Sequence, residues 1–227
     1  MAAYTTILLD ADDTIFDFGA CEGEALRLAF EQYGFRMNDE IKAAYAKINK
    51  DLWKQYEKGI IDKNTVICTR FQLLFERFQM NGDKKGFEDT YQELLGMQHF
   101  LIEDALQVIE YLYRKYDLYI VTNGVTKTQL RRFGESGLDK YMKKIFVSEE
   151  TGFQKPMKEY FDYCFERMNN HDLDKMMIIG DSLSSDIKGG NNAGITTCWY
   201  NPASLINNTD ASVDIEIKQL RELFNLL

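Results

Sequence analysis

The sequence contains few residues of the kinds that build zinc sites, disulfide frameworks or membrane spans. It has four cysteines in 227 residues and no CxxC pair, so neither a zinc site nor a dense disulfide framework is expected. No apolar run approaches the roughly 18 residues that a membrane span needs. The chain reaches its first acidic residue, Asp10, without a basic leader. We therefore expect a protein of the reducing cytoplasm that has no membrane partner.

Positive charge is also scarce. Lys and Arg number 27 against 36 Asp and Glu, which gives a net charge of −9. Bulk electrostatics therefore disfavours a nucleic-acid polymer or an anionic membrane surface as a partner, although local cations can still hold a small anionic ligand. The two histidines, His99 and His171, lie outside every motif described below, so histidine catalysis is not expected.

Short apolar runs alternate with stretches of helical period along most of the chain. The runs YTTILL, DLYIVTNG, KKIFVS and KMMIIGD predict buried strands, and GITTCWY and VDIEI are candidates for two more. Apolar residues at helical spacing precede the second and fourth runs, and a closing helix is predicted from Ile217, Leu220, Phe224 and Leu227. Because strands alternate with helices, we predict an α/β fold with a Rossmann-like parallel sheet.

One interval breaks this alternation. Residues 19–97 contain helical patterns, in segments such as IKAAYAKINKDLWKQYEKG and NTVICTRFQLLFERFQM, but no convincing strand. We therefore predict two domains: an α/β core of residues 1–18 and 98–227, and an inserted α-helical cap of residues 19–97.

Three carboxylates follow the first apolar run, in the segment ILLDADDTIFDF. Asp10, Asp12 and Asp13 repel one another, and without a cation they would weaken the end of a buried strand. Reactive groups gather beyond the carboxyl ends of an open parallel sheet. The later runs lead into further polar residues, namely Thr122, Asn123, Lys155, Asp181 and Asp186. We expect these groups to share one crevice, and Mg²⁺, which favours oxygen ligands, is the cation that suits it best.

Such a crevice is suited to a phosphate. A metal ion, Thr122 and Lys155 together can offset the repulsion between a phosphate and Asp10. A carboxylate in line with phosphorus can then act as the nucleophile, which gives an aspartyl phosphate.

Four motifs, DADDT, VTNG, KP and GDSLSSD, occur in that order, and through them the chain resembles the haloacid dehalogenase superfamily. The resemblance implies that Asp10 is the nucleophile and that Asp12 is the general acid and base. It also implies that Thr122, Asn123 and Lys155 bind phosphate. The dehalogenase branch lacks the aspartate at the position of Asp12, which a departing alkoxide needs as proton donor, so phosphoryl transfer is favoured over carbon–halogen cleavage.

The same resemblance implies a Mg²⁺ site. Its ligands would be Asp10, the backbone carbonyl of Asp12, Asp181 and Asp186, with the last two bound directly or through water. Mn²⁺ or Co²⁺ could substitute for Mg²⁺ at such an all-oxygen site.

A second likeness includes the insertion. The stretches NKDLWKQYEKG, TRFQLLFERF, VSEETG, GDSLSSDIKGGNNAG and TCWYN resemble the bacterial pyrimidine 5′-nucleotidases, which have a helical cap. This implies a Mg²⁺-dependent phosphomonoesterase whose small phosphorylated substrate is a nucleoside 5′-monophosphate, with a pyrimidine base favoured. A phosphatase of small sugar phosphates would share every core residue. A non-catalytic phosphate-responsive module is disfavoured, because a stable phosphoaspartate gains nothing from an acid–base group such as Asp12.

Three residues of the predicted cap are candidates for substrate specificity. Asn49 and Trp53 lie four apart on one face of a predicted helix, and Arg70 begins the next helical stretch. An amide, an indole and a guanidinium can hydrogen-bond and stack on a base and ribose. The alternative is that Trp53 packs in a helical bundle while Asn49 and Arg70 are solvated.

Overall fold

The computed structural model describes residues 4–168 and 172–227 of the chain, so His171 lies outside the described residues. In these ranges the strands form one sheet in which every neighbouring pair is parallel, in the order β3-β2-β1-β4-β5-β6. The strands are β1 (Thr6–Leu9), β2 (Asp117–Thr122), β3 (Lys144–Val147), β4 (Met176–Gly180), β5 (Thr196–Tyr200) and β6 (Ile215–Ile217). This confirms the predicted α/β class and its parallel sheet.

The central strand β1 is buried along its whole length, as are the residues of β4. In the register of the sheet, Leu8 lies opposite Tyr119 of β2 and Ile178 of β4. Strands that are covered on both faces read as continuous apolar runs, which is why TILL and MMIIG show no alternation. The same register places the carboxyl ends of β1, β2 and β4 side by side, so residues after these strands meet at one edge.

Helices connect and cover the strands. They are α5 (Ala105–Tyr113), α6 (Thr126–Ser136), α7 (Ser148–Thr151), α8 (Lys158–Phe165), α9 (Lys188–Ala193) and α10 (Leu223–Leu226). One core cluster joins α8 to the sheet: Tyr160 and Phe161 pack with Leu8, Val121 and Ile178. The apolar face of α8 that the sequence predicted is therefore the face that meets the sheet.

The chain end differs from the prediction. Ile217 was predicted both to end the candidate strand VDIEI and to open a closing helix; it ends β6 and pairs with Tyr200 of β5, so the strand is confirmed and the helix start is wrong. After β6, helical structure begins at Leu220, in a short 3₁₀ turn followed by α10. Leu220 and Phe224 lie in these helical residues, whereas Ile217 is buried in the edge strand β6. Helical spacing alone therefore placed the start of the helix too early.

A second compact unit, Gly19–Gln98, is helical, and the described residues on both sides of it form the first unit with the sheet. Helix α1 (Phe18–Gln32) leads into it, and it contains α2 (Asp39–Glu57), α3 (Lys63–Arg77) and α4 (Lys84–Gly96). Three of these helices begin at a side-chain cap: Asn38, Asp62 and Asp83 each accept a hydrogen bond from a backbone N–H in the first turn. Aromatic rings fill the interior of this unit, with Phe71 in contact with the rings of Tyr45, Phe87 and Tyr91.

None of the helices in the described ranges combines the length and the apolar character that spanning a bilayer requires. The four cysteines are all free thiols, and Cys68 is exposed while Cys21, Cys164 and Cys198 are buried.

Candidate active site

Three carboxylates converge beyond the carboxyl ends of β1 and β4. Asp10 directly follows β1, and its N–H donates to the carbonyl of Ile179 in β4 at 3.0 Å. Asp181 directly follows β4, and Asp186 lies in a π-helical turn, Leu183–Ile187, just after it. One carboxylate oxygen from each of the three aspartates lies within 4.8 Å of the others. The structure thus brings together the side chains that the sequence placed at separate strand ends.

Lys155 is the cation within this cluster. Its Nζ donates to Oδ1 of Asp10 at 2.5 Å, to Oδ1 of Asp186 at 2.7 Å and to the carbonyl of Val121 at 2.7 Å. Lys155 is 1% exposed and Asp186 is 1% exposed, so this is a buried ion-pair network. Burial alone would lower the pKa of Lys155, but the charges of Asp10 and Asp186 outweigh it and the pKa is raised. The ammonium therefore stays charged.

One ammonium does not balance the carboxylates. Burial raises the pKa of Asp10 to about 8, with Asp186 and Asp12 acting in the same direction and Lys155 opposing them. Burial, followed by repulsion from Asp186 and Asp10, also raises the pKa of Asp181. A carboxylate that is held in its charged form only with difficulty needs a further positive charge nearby. Three converging oxygen donors of this kind match the ligand preference of Mg²⁺, so the residues present fit this metal.

The sequence GDSLSSD explains how Asp186 reaches the cluster. A Cβ at position 180 would collide with the side chain of Asp186, so the absence of a side chain at Gly180 leaves the space that this carboxylate occupies. Oδ2 of Asp186 accepts the N–H of Ser182 at 3.0 Å, while Oδ1 accepts Lys155. The neighbouring Asp181 is held through its backbone, because Nε1 of Trp199 in β5 donates to its carbonyl at 2.8 Å.

Asn123 and Lys155 form a reciprocal pair. Nδ2 of Asn123 donates to the carbonyl of Lys155 at 3.0 Å, and the N–H of Lys155 donates to Oδ1 of Asn123 at 2.9 Å. The amide of Asn123 thus holds the loop that carries Lys155, in which the peptide bond to Pro156 is cis. The phosphate contact expected of Asn123 stays a prediction.

Thr122 ends β2 and is 1% exposed. Its Oγ1 accepts the N–H of Gly124 at 3.1 Å and Nε2 of Gln129 at 3.2 Å. Gln129 lies on α6, one helical turn after the VTNG motif. Steric fit also favours glycine at the last position of that motif, because a Cβ on Gly124 would collide with the side chain of Gln129.

Asp12 is contacted by two residues that the sequence analysis missed. Gln129 donates from Nε2 to Oδ2 of Asp12 at 2.6 Å, and Nη1 of Arg132 donates to Oδ1 of Asp12. Both are buried on α6, whereas the side chain of Asp12 is 28% exposed. The available signal was the segment TKTQLRRFGES, in which two long polar residues three positions apart share a helix face next to a motif.

The other residues of the first motif have structural partners. Asp13 has a positive φ of 58°, is exposed, and accepts the N–H of Phe18 at 3.1 Å. Thr14 is buried and donates to Oδ1 of Asp181 at 3.5 Å. Thr14 therefore contacts the carboxylate cluster from the segment that follows β1.

Within the helical unit, Arg70 and Asn49 are buried rather than solvated. Arg70 is 1% exposed, and its Nε and Nη2 donate to the two carboxylate oxygens of Glu88 at 2.8 Å and 2.5 Å. Its Nη1 donates to Oδ1 of Asn49 at 3.2 Å, and Nδ2 of Asn49 donates to Glu22 at 2.7 Å. These bonds hold the helices of the unit to one another, and the specificity role of Asn49 and Arg70 stays a prediction.

Trp53 is half-buried at the edge of a small cluster in the same unit. It packs against Leu52, Tyr56 and Val66, and its ring meets that of Tyr56 edge to face at 5.6 Å. This placement corresponds to the packing alternative, and the predicted contact of Trp53 with a substrate is not tested by it.

Comparison with known proteins gives one family. The family model described as haloacid dehalogenase-like hydrolase matches residues 4–194. The HAD-hydrolase YfnB of Bacillus subtilis is 46% identical over 227 residues, which is 100% of this chain and 97% of that protein. The pyrimidine 5′-nucleotidases PynA of Streptococcus pneumoniae and YjjG of Escherichia coli are 37% and 32% identical, over 99% and 86% of this chain and 95% and 85% of theirs.

A solved structure agrees with the sequence matches. The crystal structure of Bacillus subtilis YfnB, described as bound to magnesium and as revealing interdomain movement, has a TM-score of 0.94 to this chain and covers 99% of both chains. The family match over residues 4–194 and these full-length relatives confirm the resemblance carried by the four motifs: the chain belongs to the haloacid dehalogenase-like hydrolases.

Proposed function

We propose that the protein is a Mg²⁺-dependent phosphomonoesterase that forms an aspartyl phosphate on Asp10. One observation carries the proposal: Asp10 lies at the end of the central strand, in a cluster with two further carboxylates and the buried ammonium of Lys155. A purely structural cluster would gain little from three converging carboxylates, because their mutual repulsion costs stability. A site that must hold both a metal ion and a phosphate needs this combination of charges.

In the first step, a carboxylate oxygen of Asp10 forms a bond to phosphorus. The bond between phosphorus and the ester oxygen breaks, its electron pair goes to that oxygen, and the carboxyl group of Asp12 gives it a proton. The ammonium of Lys155 and the hydroxyl of Thr122 hold the phosphate oxygens in place. The alcohol then leaves as a neutral molecule.

In the second step, water attacks the phosphorus of the aspartyl phosphate. Asp12, now a carboxylate, takes a proton from that water, and the bond between phosphorus and Asp10 breaks. Inorganic phosphate leaves, and both aspartates return to their starting states. When bound by Asp10, Asp181, Asp186 and the backbone carbonyl of Asp12, Mg²⁺ supplies the positive charge that lets a phosphate approach a carboxylate.

For the substrate we propose a nucleoside 5′-monophosphate, with a pyrimidine base favoured. Two relatives that match 99% and 86% of the chain, PynA and YjjG, are named pyrimidine 5′-nucleotidases. A core that binds only phosphate cannot distinguish leaving groups, so we assign that task to the helical unit Gly19–Gln98, acting as a cap. Asn49, Trp53 and Arg70 remain its candidate specificity residues.

A panel of phosphate monoesters tests the proposal. Phosphate release is measured with Mg²⁺ and with EDTA for pyrimidine and purine nucleoside 5′-monophosphates, small sugar phosphates and p-nitrophenyl phosphate, and the substrates are ranked by kcat/KM. We expect Mg²⁺-dependent release, with pyrimidine nucleoside monophosphates at the top. If sugar phosphates ranked first, the phosphatase would stand and the nucleotide substrate would not. If no ester released phosphate with Mg²⁺, the proposed activity would be wrong.

A further inference from the structure

Helix α6 buries polar side chains and exposes an apolar one. Gln129 is 2% exposed and Arg132 is 0% exposed, while Leu130 between them is 46% exposed. Buried polar groups of this size cost stability unless each is hydrogen-bonded, and a helix that only packed against the sheet would reverse the arrangement. The two buried side chains point to the same place, the first motif.

Their contacts account for both oxygens of one carboxylate. Nε2 of Gln129 donates to Oδ2 of Asp12 at 2.6 Å, and Nη1 of Arg132 donates to Oδ1. The guanidinium is itself fixed, because it lies over the ring of Phe16, 4.3 Å from the centroid, and Nη1 also donates to Oε1 of Gln129 at 3.3 Å. A carboxylate that has a separate buried donor on each oxygen has a fixed side-chain torsion, whereas a half-exposed aspartate without such donors would rotate.

Gln129 also contacts the hydroxyl of Thr122. That oxygen accepts two hydrogen bonds, from Nε2 of Gln129 at 3.2 Å and from the N–H of Gly124 at 3.1 Å. A hydroxyl oxygen has two acceptor sites and one proton, so with both acceptor sites used the proton is left to be donated. The glycine at 124 keeps this arrangement open, because a Cβ there would displace the Gln129 side chain.

We propose that Gln129 and Arg132 are positioning residues for phosphoryl transfer. Arg132 and Gln129 together aim the carboxyl group of Asp12 at the leaving-group oxygen, and Gln129, together with the N–H of Gly124, leaves the hydroxyl of Thr122 as a donor for the phosphate. The inference rests on the proposed phosphomonoesterase activity, in which Asp12 moves the proton and Thr122 contacts the phosphate. Beyond that activity, the inference assigns the orientation of the Asp12 carboxyl group and of the Thr122 hydroxyl to one face of α6.

The two residues therefore have separable effects. Arg132 donates to Asp12, and its bond to Gln129 uses Oε1 rather than the Nε2 that donates to Thr122, so its loss should act mainly on the steps in which a proton moves. An alkyl leaving group needs that proton, whereas p-nitrophenolate leaves well without it. Gln129 contacts both groups, so its loss should also weaken the hold on phosphate itself, whatever the leaving group.

The test compares Arg132→Met, Arg132→Lys and Gln129→Met with the wild type and with the control Arg131→Met. Arg131 directly precedes Arg132 on the same helix, but its side chain is partly exposed and pairs with Glu135 one turn away. For each protein, kcat/KM is measured with Mg²⁺ for two substrates. One is a nucleoside 5′-monophosphate, which is an alkyl ester, and the other is p-nitrophenyl phosphate. The inhibition constant of inorganic phosphate is measured beside them, and circular dichroism reports folding.

Arg132→Met is expected to lower kcat/KM by about 10- to 100-fold for the alkyl ester and by less than about threefold for p-nitrophenyl phosphate, since misplacing a catalytic group costs up to about 10²-fold. Its inhibition constant for inorganic phosphate should not change. Arg132→Lys keeps a cation beside Asp12 and should recover part of the loss. Gln129→Met should raise the inhibition constant by about tenfold, because the Thr122 hydroxyl that donates to the charged phosphate loses a group that orients it. Arg131→Met should match the wild type.

Equal losses on both esters in a folded Arg132 variant, or no loss on either, would overturn the inference and leave the phosphatase intact. An unchanged inhibition constant in folded Gln129→Met would overturn the part that concerns Thr122. Should Arg132→Met fail to fold, Arg132→Lys and Gln129→Met carry the same comparison. A wild type that releases no phosphate from any ester would remove the proposed function itself, together with this inference.

Discussion

Replacing Lys155 by methionine is the change for which the structure gives the clearest magnitude. Methionine has nearly the same volume as lysine but no charge, so the substitution removes the ammonium while filling its space. Asp10 and Asp186, which Nζ contacts at 2.5 Å and 2.7 Å, then lose their buried counter-charge. The protein should become less stable when no metal is present to replace that charge.

Removing one partner of a buried ion pair typically costs about 3–5 kcal/mol, because the other partner stays buried and uncompensated. For a protein of this size, 1 kcal/mol shifts the melting temperature by about 2–4 °C, so Lys155→Met in EDTA should melt about 6–20 °C below the wild type. Lys158→Met is the matched control. Its partner Asp162 lies one turn along an exposed helix face, where an ion pair contributes about 0.5 kcal/mol or less.

The loss should also depend on pH. The pKa of Asp10 is raised by burial to about 8, so the native metal-free protein binds more protons than the unfolded chain between roughly pH 4 and pH 8, and its stability falls as the pH rises through that window. Without Lys155 the pKa of Asp10 moves higher still and the window extends upward. The difference between variant and wild type should therefore grow above pH 8.

Thermal unfolding in EDTA, followed by circular dichroism at pH 6 and pH 8.5, measures this directly. The double variant Lys155→Met/Asp10→Asn should regain part of the loss, because one of the uncompensated carboxylates is gone. A melting temperature of Lys155→Met within about 2 °C of the wild type at pH 8.5 would show that the ammonium does not offset the carboxylates, and the electrostatic reasoning for the site would have to be abandoned.

Four further substitutions test other parts of the proposed site and of the helical unit. Asp12→Asn should lower kcat for alkyl phosphates by about 10²–10⁴-fold, as expected for lost acid–base catalysis, and steady-state phosphate release with an unchanged rate would remove Asp12 from the mechanism. Asp181→Ala should steeply raise the Mg²⁺ concentration needed for half-maximal activity, and full activity at low micromolar Mg²⁺ would contradict its role as ligand. Arg70→Ala leaves Glu88 buried without its partner and should lower the free energy of unfolding by about 3–5 kcal/mol, as measured by melting. If the indole of Trp53 contacts the base, Trp53→Ala should lower kcat/KM for a nucleoside monophosphate relative to that for p-nitrophenyl phosphate.

The strand pattern was predictable because each strand of the sheet is a short, self-contained apolar run. TILL and MMIIG are buried on both faces, so their local composition alone carries the signal. The last strand shows the limit of such reasoning. Ile217 fits both the candidate strand VDIEI and the helical spacing of the residues that follow, and only its pairing with Tyr200, which local sequence does not reveal, decides between them.

The site was predictable to the extent that its residues directly follow strands. Asp10, Thr122 and Asp181 end or follow strands that the register places side by side, so their convergence is a consequence of topology. Gln129 and Arg132 could not be found in this way, because they lie on a helix and their polar character resembles that of a solvated face. Only the tertiary structure shows that this face is buried.

The helical unit was the least predictable part. Both interpretations of Arg70, as a substrate contact or as a solvated residue, omitted a buried ion pair with Glu88, which lies 18 positions further along the chain. Nothing in the local pattern of either helix specifies that pairing. The arrangement arises because α3 and α4 pack together and the guanidinium of Arg70 meets the carboxylate of Glu88 between them.

To test whether Asp10 is the nucleophile, wild type and Asp10→Asn are compared in the steady-state release of phosphate from p-nitrophenyl phosphate, with Mg²⁺ and with EDTA. An amide is a poor nucleophile but has nearly the same shape as the carboxylate, and the substitution removes one of three repelling charges, so the variant should stay folded and melt no lower than the wild type without metal. We expect release by the wild type with Mg²⁺ only, and none above background by the variant. A folded Asp10→Asn protein that retained more than about a tenth of the wild-type kcat, a barrier change of under about 1.4 kcal/mol, would contradict it.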